Sequence, residues 1–377
     1  MRSKGEKYQA IGKKHNVRFE PVDIEIEVDE DETVLDAAFR HGVMLMHGCK
    51  EGQCSACKSF LLDGDLEMDR WSTFALNEFE EEEGYVLLCR SHAYSDLEVE
   101  LLSFREEMLN TGIPLQLVYA EVEEIETLTH DIKRLVLKLV DPPEMNFLPG
   151  QYAELYIPDS EPEEHRAYSM ANTTSSDERA EFIIKVYPGG HFSGLLDGEL
   201  EIGQRMKMRV PFGVFTLREK SEGDVIFIGG GSGMAPILCI LRHMAEKGID
   251  RKATFYYGAR TKKDLFYLDE ISELGEQMPG EFRFVPALSE PEDEDEWEGE
   301  TGLITDVVQN LEGDLEGTEA YMAGPPPMID AAIPVLTQMG VDEGDIYYDK
   351  FTITAEMEEG EEQEEAETGP DFPGRVE

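Results

Sequence analysis

His47-Gly48-Cys49-Lys50-Glu51-Gly52-Gln53-Cys54-Ser55-Ala56-Cys57-Lys58 is the stretch on which the reading of this chain turns. Three cysteines stand in a Cys-x4-Cys-x2-Cys array, and a fourth, Cys89, follows after 31 further residues. This is the plant-type spacing for a [2Fe–2S] cluster. Four thiolates must reach two irons, so three come from one tight loop and the fourth from a distant strand end. Gly48, Gly52, Ser55 and Ala56 are small, which lets backbone N–H groups approach the sulfurs and helps to set the reduction potential. A zinc ribbon is the alternative, but it wants a second Cys-x2-Cys pair, and Cys89 stands alone. His47 and His92 flank the array and read as structural, since four cysteines complete the ligand set. The fifth cysteine, Cys239, falls on the apolar face of an expected helix and reads as a buried core thiol.

Outward from the array, residues 16–105 read as a small α+β unit. Val17 to Glu20 and Ile24 to Val28 alternate apolar and polar residues, as half-buried strands do. Thr33 precedes a helical pattern through Leu35, Ala38 and Phe39. Residues 113–219 hold short strands separated by turn signals: Leu115 to Tyr119, Lys133 to Leu139, Tyr152 to Ile157, Glu181 to Tyr187 and Arg205 to Val210. That pattern predicts an antiparallel β-barrel. Residues 223–352 change character. A buried strand, Val225 to Ile228, leads into a glycine run, a helix from Pro236 to Ala245 and another strand, Ala253 to Tyr257. This alternation predicts an α/β domain with a parallel sheet. Residues 353–377 form an acidic tail with few apolar residues, expected to be disordered, and Glu290 to Glu300 reads as a second solvated acidic segment.

The chain has 377 residues, which suits two or three domains. Hydrophobic residues make up 41%, enough for sizeable cores, and the formal net charge is −49. Such a charge disfavours nucleic acid and anionic membrane surfaces as partners. It fits a salt-rich cytoplasm as well as an ordinary acidic protein, and the second reading is slightly preferred. Met1 to Asn16 is polar and basic with no apolar core segment, so no export signal is expected. The longest apolar stretch, Val225 to Leu241, is broken by glycines and a proline and is too short to span a bilayer. A cytoplasmic location is therefore expected, where clustered cysteines bind metal more often than they form disulfides.

Two further constellations carry chemistry. Phe147-Leu148-Pro149-Gly150-Gln151-Tyr152 reads as a turn entering a strand. Arg166-Ala167-Tyr168-Ser169 follows, then Tyr187-Pro188-Gly189-Gly190-His191-Phe192-Ser193. Each is weak alone, and their order and spacing carry the weight. An arginine can pair with a pyrophosphate, a tyrosine can stack on a flavin ring, and a serine hydroxyl can bond the flavin atom that receives hydride. Gly189 and Gly190 can bring backbone N–H groups against phosphate. Later, Gly229-Gly230-Gly231-Ser232-Gly233-Met234-Ala235-Pro236 stands between a strand and a helix, where a dinucleotide can approach the helix N-terminus. It is not the Gly-x-Gly-x-x-Gly fingerprint, because Pro236 takes the last position. Tyr256-Tyr257-Gly258-Ala259-Arg260 stands where an acidic ribose ligand is usual, so the acidic-residue rule does not separate NADH from NADPH. Tyr321-Met322-Ala323-Gly324-Pro325-Pro326-Pro327-Met328 is expected to follow a strand and floor the nicotinamide pocket. Phe351 is either a cover for the flavin or a core residue.

These three constellations in this order resemble the reductase components of soluble di-iron monooxygenases, nearest to those of propane and methane monooxygenases. The likeness spans about residues 16–352. It is carried by the cysteine loop, Leu87-Leu88-Cys89-Arg90-Ser91-His92-Ala93-Tyr94, Tyr187 to Gly190, Gly229 to Pro236, Tyr257 to Arg260 and Tyr347-Tyr348-Asp349-Lys350-Phe351. The resemblance implies a β-grasp ferredoxin domain, a six-stranded FAD barrel and a parallel-sheet NAD(P)H domain. It implies FAD bound by Arg166, Tyr168, Ser169, Lys185, Gly190, Phe192 and Ser193. It implies NADH as donor, with NADPH left open, near Gly230, Gly231, Gly233, Arg260, Gly324 and Pro325. Ser169 and Phe351 are the implied hydride-transfer residues, and Cys49, Cys54, Cys57 and Cys89 the metal ligands. The implied activity is electron transfer from NADH through FAD and the cluster to an oxygenase component. The rival is a reductase for a Rieske-type aromatic dioxygenase. A non-catalytic ferredoxin fits poorly with intact flavin and nucleotide motifs. The family often has a cysteine where this chain has Ala323, and the acidic tail runs past the family's usual end.

Overall fold

The computed structural model describes residues 13–109, 111–175, 178–292 and 296–351. The expected acidic tail and residues 293–295 of the acidic segment lie outside that set. The described residues form two compact units. The first holds residues up to Ile125 with Leu135–Phe182 and Pro188–Leu217; the second holds Glu126–Arg134, Ile183–Tyr187 and the chain from Arg218.

The first unit opens with strands β1 (Lys14–Glu20) and β2 (Ile24–Asp29), helix α1 (Val34–Arg40), β3 (Lys58–Asp63), β4 (Leu66–Met68), α2 (Glu78–Glu83), β5 (Tyr85–Leu87), β6 (Ser91–Ala93) and β7 (Leu97–Leu101). Five of these strands make one sheet in the order β2-β1-β7-β3-β5, with β1 and β7 parallel. The expected alternation is realised: Val17 and Phe19 are fully buried, and Val17 pairs with buried Ile26 across the β1–β2 hairpin. Helix α1 begins where the Thr33 side chain accepts the Asp36 N–H, and it buries Leu35, Ala38 and Phe39 on one face. This is the β-grasp arrangement, and its cysteine loop lies between α1 and β3.

After the short helix α3 (Glu106–Leu109) come β8 (Gln116–Thr127), β9 (Ile132–Asp141), β10 (Tyr152–Tyr156), β11 (His165–Ser169), β12 (Arg179–Lys185) and β13 (Arg205–Phe212). They form a six-stranded sheet in the order β11-β10-β13-β8-β9-β12. An antiparallel bridge from Met170 to Phe182 joins its two ends, so the sheet nearly closes into the expected barrel. β8 runs well past the expected Tyr119, because the glutamates that follow obscure its period. β11 was visible only as a motif: its sequence His-Arg-Ala-Tyr-Ser offers no apolar alternation, and pairing with β10 makes it a strand.

The second unit is built on β14 (Val225–Gly230), α4 (Met234–Lys247), β15 (Ala253–Ala259), α5 (Leu268–Glu276), β16 (Phe282–Leu288), β17 (Glu300–Thr301), α6 (Ile304–Leu311), β18 (Glu319–Gly324), α7 (Pro326–Gln338) and β19 (Ile346–Lys350). The strands are all parallel in the order β17-β16-β15-β14-β18-β19. β14 is buried along its whole length, as a strand covered on both faces must be. Tyr321 to Gly324, expected to follow a strand, lie inside β18, whose run of buried residues continues to the glycine. No described helix is long and apolar enough to cross a membrane.

Candidate functional site

The cysteine loop is shaped by backbone aimed at sulfur. The Cys49 N–H donates to Cys54 Sγ at 3.2 Å, and the Glu51 and Gln53 N–H groups donate to Cys49 Sγ at 3.4 and 3.2 Å. The four thiols form two hydrogen-bonded pairs, Cys49 with Cys54 and Cys57 with Cys89. The Cys54 partner, aided by the backbone donors, holds the Cys49 thiol down to about 5, and the Cys89 partner lowers Cys57. Cys89 lies just beyond β5 and meets the loop where the Leu88 N–H donates to the Cys57 carbonyl at 3.3 Å. Lys50, Gly52 and Ser55 have φ of 60°, 76° and 53°, a left-handed run that folds the chain tightly around the sulfurs. A Cβ on Gly48 would stand 2.9 Å from Cys54 Sγ, so a larger residue there would press that sulfur out of place. The two thiol–thiol bonds push Cys54 and Cys89 up, so one thiol of each pair is poised to ionise, and with the convergent N–H donors this fits an iron–sulfur cluster. His47 and His92 play the structural parts expected of them. His47 Nδ1 is 2.7 Å from the Leu45 carbonyl, and burial pushes its ring down to about 4. His92 bonds the Glu30 carbonyl and Asp69. Cys239 is buried in α4, as expected.

The flavin candidates gather on β11 and the segment after β12. Arg166, Tyr168 and Ser169 lie on β11, opposite Leu155, Ala153 and Tyr152 of β10. The Tyr168 and Phe192 rings lie 5.1 Å apart, which joins the two motifs. Phe192 is buried beneath that contact and Tyr168 is half-buried. Gly190 accepts the Gly194 N–H at 2.9 Å, and Ser193 opens a single 3-10 turn. Arg166 is oriented by the His165 carbonyl at 2.8 Å and by Glu164. Lys185, at the end of β12, counts with the second unit, where its Nζ is 2.9 Å from Asp131. A guanidinium, an aromatic ring, a hydroxyl and a glycine turn in one region suit a dinucleotide flavin.

The nucleotide candidates meet where the strand order of the second unit reverses, between β14 and β18, which is where open α/β sheets bind ligands. β14 ends at Gly230, a 3-10 turn covers Gly231–Gly233, and α4 begins with no side chain capping its N–H groups. With no side chain in the way, that turn and helix start suit a phosphate. A Cβ on Gly233 would overlap the Ala323 carbonyl and stand 2.9 Å from Gly324 Cα, and one on Gly324 would be 3.1 Å from the Gly230 carbonyl oxygen. Gly230, Gly233 and Gly324 thus form a notch in which the ends of β14, α4 and β18 meet backbone to backbone. Pro325 caps α7 beside it, and the Phe351 N–H donates to the Gly324 carbonyl at 2.9 Å. Arg260 stands exposed just past β15 at the same carboxyl edge of the sheet.

Sequence reasoning missed a charged seam within the first unit. Buried Glu154 of β10 is surrounded by Lys50, Arg209 and His165. An acidic residue in an otherwise apolar strand, Tyr-Ala-Glu-Leu-Tyr, was the signal available.

A ferredoxin-like unit with four clustered cysteines, a flavin-type barrel and a glycine-notched parallel sheet define an NAD(P)H-dependent flavin and iron–sulfur oxidoreductase. Family models agree region by region: a 2Fe-2S iron-sulfur cluster binding domain over residues 17–94, an oxidoreductase FAD-binding domain over 119–217 and an oxidoreductase NAD-binding domain over 227–333. The chain is 53% identical over 342 residues to the reductase component of propane 2-monooxygenase from Mycolicibacterium goodii, covering 90% of this chain and 97% of that one. It is 35% identical to the reductase component of phenol 2-monooxygenase from Pseudomonas sp. strain CF600, covering 91% and 96%. The crystal structure of the Amycolatopsis cytochrome P450 reductase GcoB matches with a TM-score of 0.80 at 30% identity, covering 90% and 99%. The chain belongs to the family of monooxygenase reductase components that includes the propane 2-monooxygenase reductases.

Proposed function

We propose that this chain supplies electrons from NADH to the hydroxylase of a di-iron monooxygenase of the propane type, in the cytoplasm. The observation that carries this reading is the 53% identity to a propane 2-monooxygenase reductase over nearly the full length of both chains, against 35% for the phenol counterpart. The bound groups supply hydride acceptance by FAD and single-electron release through a [2Fe–2S] cluster. The protein supplies binding, orientation and electrostatics. Cys49, Cys54, Cys57 and Cys89 hold the cluster. Arg166, Lys185, Gly190 and Ser193 bind the flavin phosphates and ribityl chain, while Tyr168 and Phe192 support the ring. Gly230, Gly231, Gly233, Arg260, Gly324 and Pro325 receive the nicotinamide dinucleotide. Ser169 would offer its hydroxyl to a bound flavin where hydride is accepted, and Phe351 would cover the flavin in the absence of nicotinamide. No side chain need act as a general acid or base, since the redox chemistry belongs to the cofactors.

The test is anaerobic NADH-driven reduction of a di-iron hydroxylase and a Rieske oxygenase, with the flavin and cluster spectra followed together. Delivery to the di-iron protein alone is expected. Delivery to the Rieske protein alone would replace the partner and keep the electron path, and spectra unmoved by NADH would overturn both.

A further inference from the structure

Glu154 of β10 has a side chain only 2% exposed. A buried carboxylate is tolerable only against cations. Lys50 Nζ touches its Oε1, Arg209 Nε of β13 stands 3.4 Å from its Oε2, and His165 Nδ1 of β11 is 3.8 Å from Oε1. Arg209 and His165 are barrel residues. Lys50 instead follows the cluster ligand Cys49 directly, and its backbone takes the left-handed conformation that disfavours non-glycine residues. Its ammonium also lies 3.8 Å from the centroid of the Phe212 ring on β13.

The surroundings make this a seam between the cysteine fold and the barrel. Arg209 forms a second ion pair across it, 3.2 Å to Asp36 of α1. Phe212 is part of the apolar core of the cysteine fold and meets Phe39 edge-on at 5.5 Å. Along the backbone, Glu154 pairs with Ala167, between Arg166 and Tyr168. One side-chain contact therefore joins the residue beside a cluster ligand to the strand that neighbours the flavin residues.

We propose that Lys50 and Glu154 form an ionic latch that fixes the cysteine loop on the flavin-binding strands and so sets the rate of the flavin-to-cluster electron step. The proposal rests on the function given above. Both are positioning residues, since neither ligates iron. Apolar contact alone lets a seam slide, whereas a buried charge that slips from its partner is left uncompensated, which fixes the register. Single-electron transfer falls steeply with separation, so register governs rate.

Glu154→Gln and Lys50→Met roughly keep the size of each side chain and remove one charge. Anaerobic stopped-flow on the flavin- and cluster-loaded enzyme resolves flavin reduction by NADH from cluster reduction. In both variants the flavin phase should stay within about twofold of the unaltered enzyme while the cluster phase slows by about tenfold or more, the scale expected of ångström misplacement. The EPR signal of the chemically reduced cluster should be unchanged, showing that ligation is intact, and Lys50→Arg should recover most of the rate. A cluster phase of unaltered rate in a fully loaded variant overturns the latch. If neither neutral variant keeps both cofactors, Glu154→Asp, which keeps the charge and shortens its reach, is expected to show the same slowing. Failure of NADH to reduce the flavin of the unaltered enzyme would overturn the function instead; deazaflavin photoreduction of the flavin would then still time the cluster phase.

Discussion

The cysteine loop and the glycine notch solve opposite problems. In the loop the chemistry resides in side chains that are present: four thiols, with the backbone bent to serve them through Lys50, Gly52 and Ser55. In the notch it resides in side chains that are absent, since Gly230, Gly233 and Gly324 let the backbones of β14, α4 and β18 close on one another. A site made of donors is lost when one donor is changed. A site made of close backbone approach is lost when a side chain forces the strands and helix apart.

Cys54→Ser should have the largest effect. The Cys49 N–H and the Cys49 thiol both bond Cys54 Sγ, so the change removes a ligand and unsettles its neighbour. Reduction of a one-electron protein acceptor should fall to background, while NADH oxidation by a flavin-directed dye continues. Normal reduction of the protein acceptor would show that electrons bypass the loop. Gly233→Ala comes next. The new Cβ meets the rigid end of β18, with Gly324 Cα at 2.9 Å, so strand and helix must part. Overpacking of this kind costs about 1–3 kcal/mol of stability. With the nicotinamide displaced, NADH oxidation should fall by on the order of a hundredfold, and unaltered turnover would remove the notch from the nucleotide site. Gly48→Ala is the matching test in the loop. Its Cβ meets a sulfur at 2.9 Å, and a shift of a few tenths of an ångström relieves it. The cluster should form but be lost to a chelator about tenfold more readily. If Gly48→Ala proves as damaging as Cys54→Ser, the loop depends on space as much as on donors.

The same contrast governs what the sequence discloses. Cysteine spacing is explicit, and the loop, the fourth cysteine that joins it and the structural roles of His47 and His92 are all legible. The glycine run is legible as a turn, but its purpose depends on Ala323 and Gly324, which arrive some ninety residues later. β11 is hidden because its His-Arg-Ala-Tyr-Ser sequence offers no apolar alternation, so pairing with β10 alone makes it a strand. The seam at Glu154 is least legible of all. Lys50 and Glu154 lie far apart in sequence, and each looks like one more surface charge in a chain with 82 acidic residues.

That seam gives the smallest effect, and it separates the two units by pH. The His165 ring is held down to about 4, by burial first and then by Lys50, Arg209 and Arg166, with Asp36 acting the other way. Its nearest carboxylate, Glu154, is already shared with Lys50 and Arg209, and the Tyr156 ring 5.3 Å away adds no charge at this pH. The folded ring therefore stays neutral where the unfolded ring, near pH 6.5, takes a proton. The contribution of His165 is present above pH 6.5 and is lost as pH falls toward 4. Because the ring is partly exposed, solvent screens the effect, and His165→Gln should lessen the acid-induced fall in Tm by about 2 °C. Hydrogen exchange at pH 7 and pH 5 locates the change: protection should drop at β10 and β11 while β14 holds, and His165→Gln should blunt that drop. Equal loss of protection at β14 in the unaltered protein would mean that the cysteine-bearing unit has no acid sensitivity of its own.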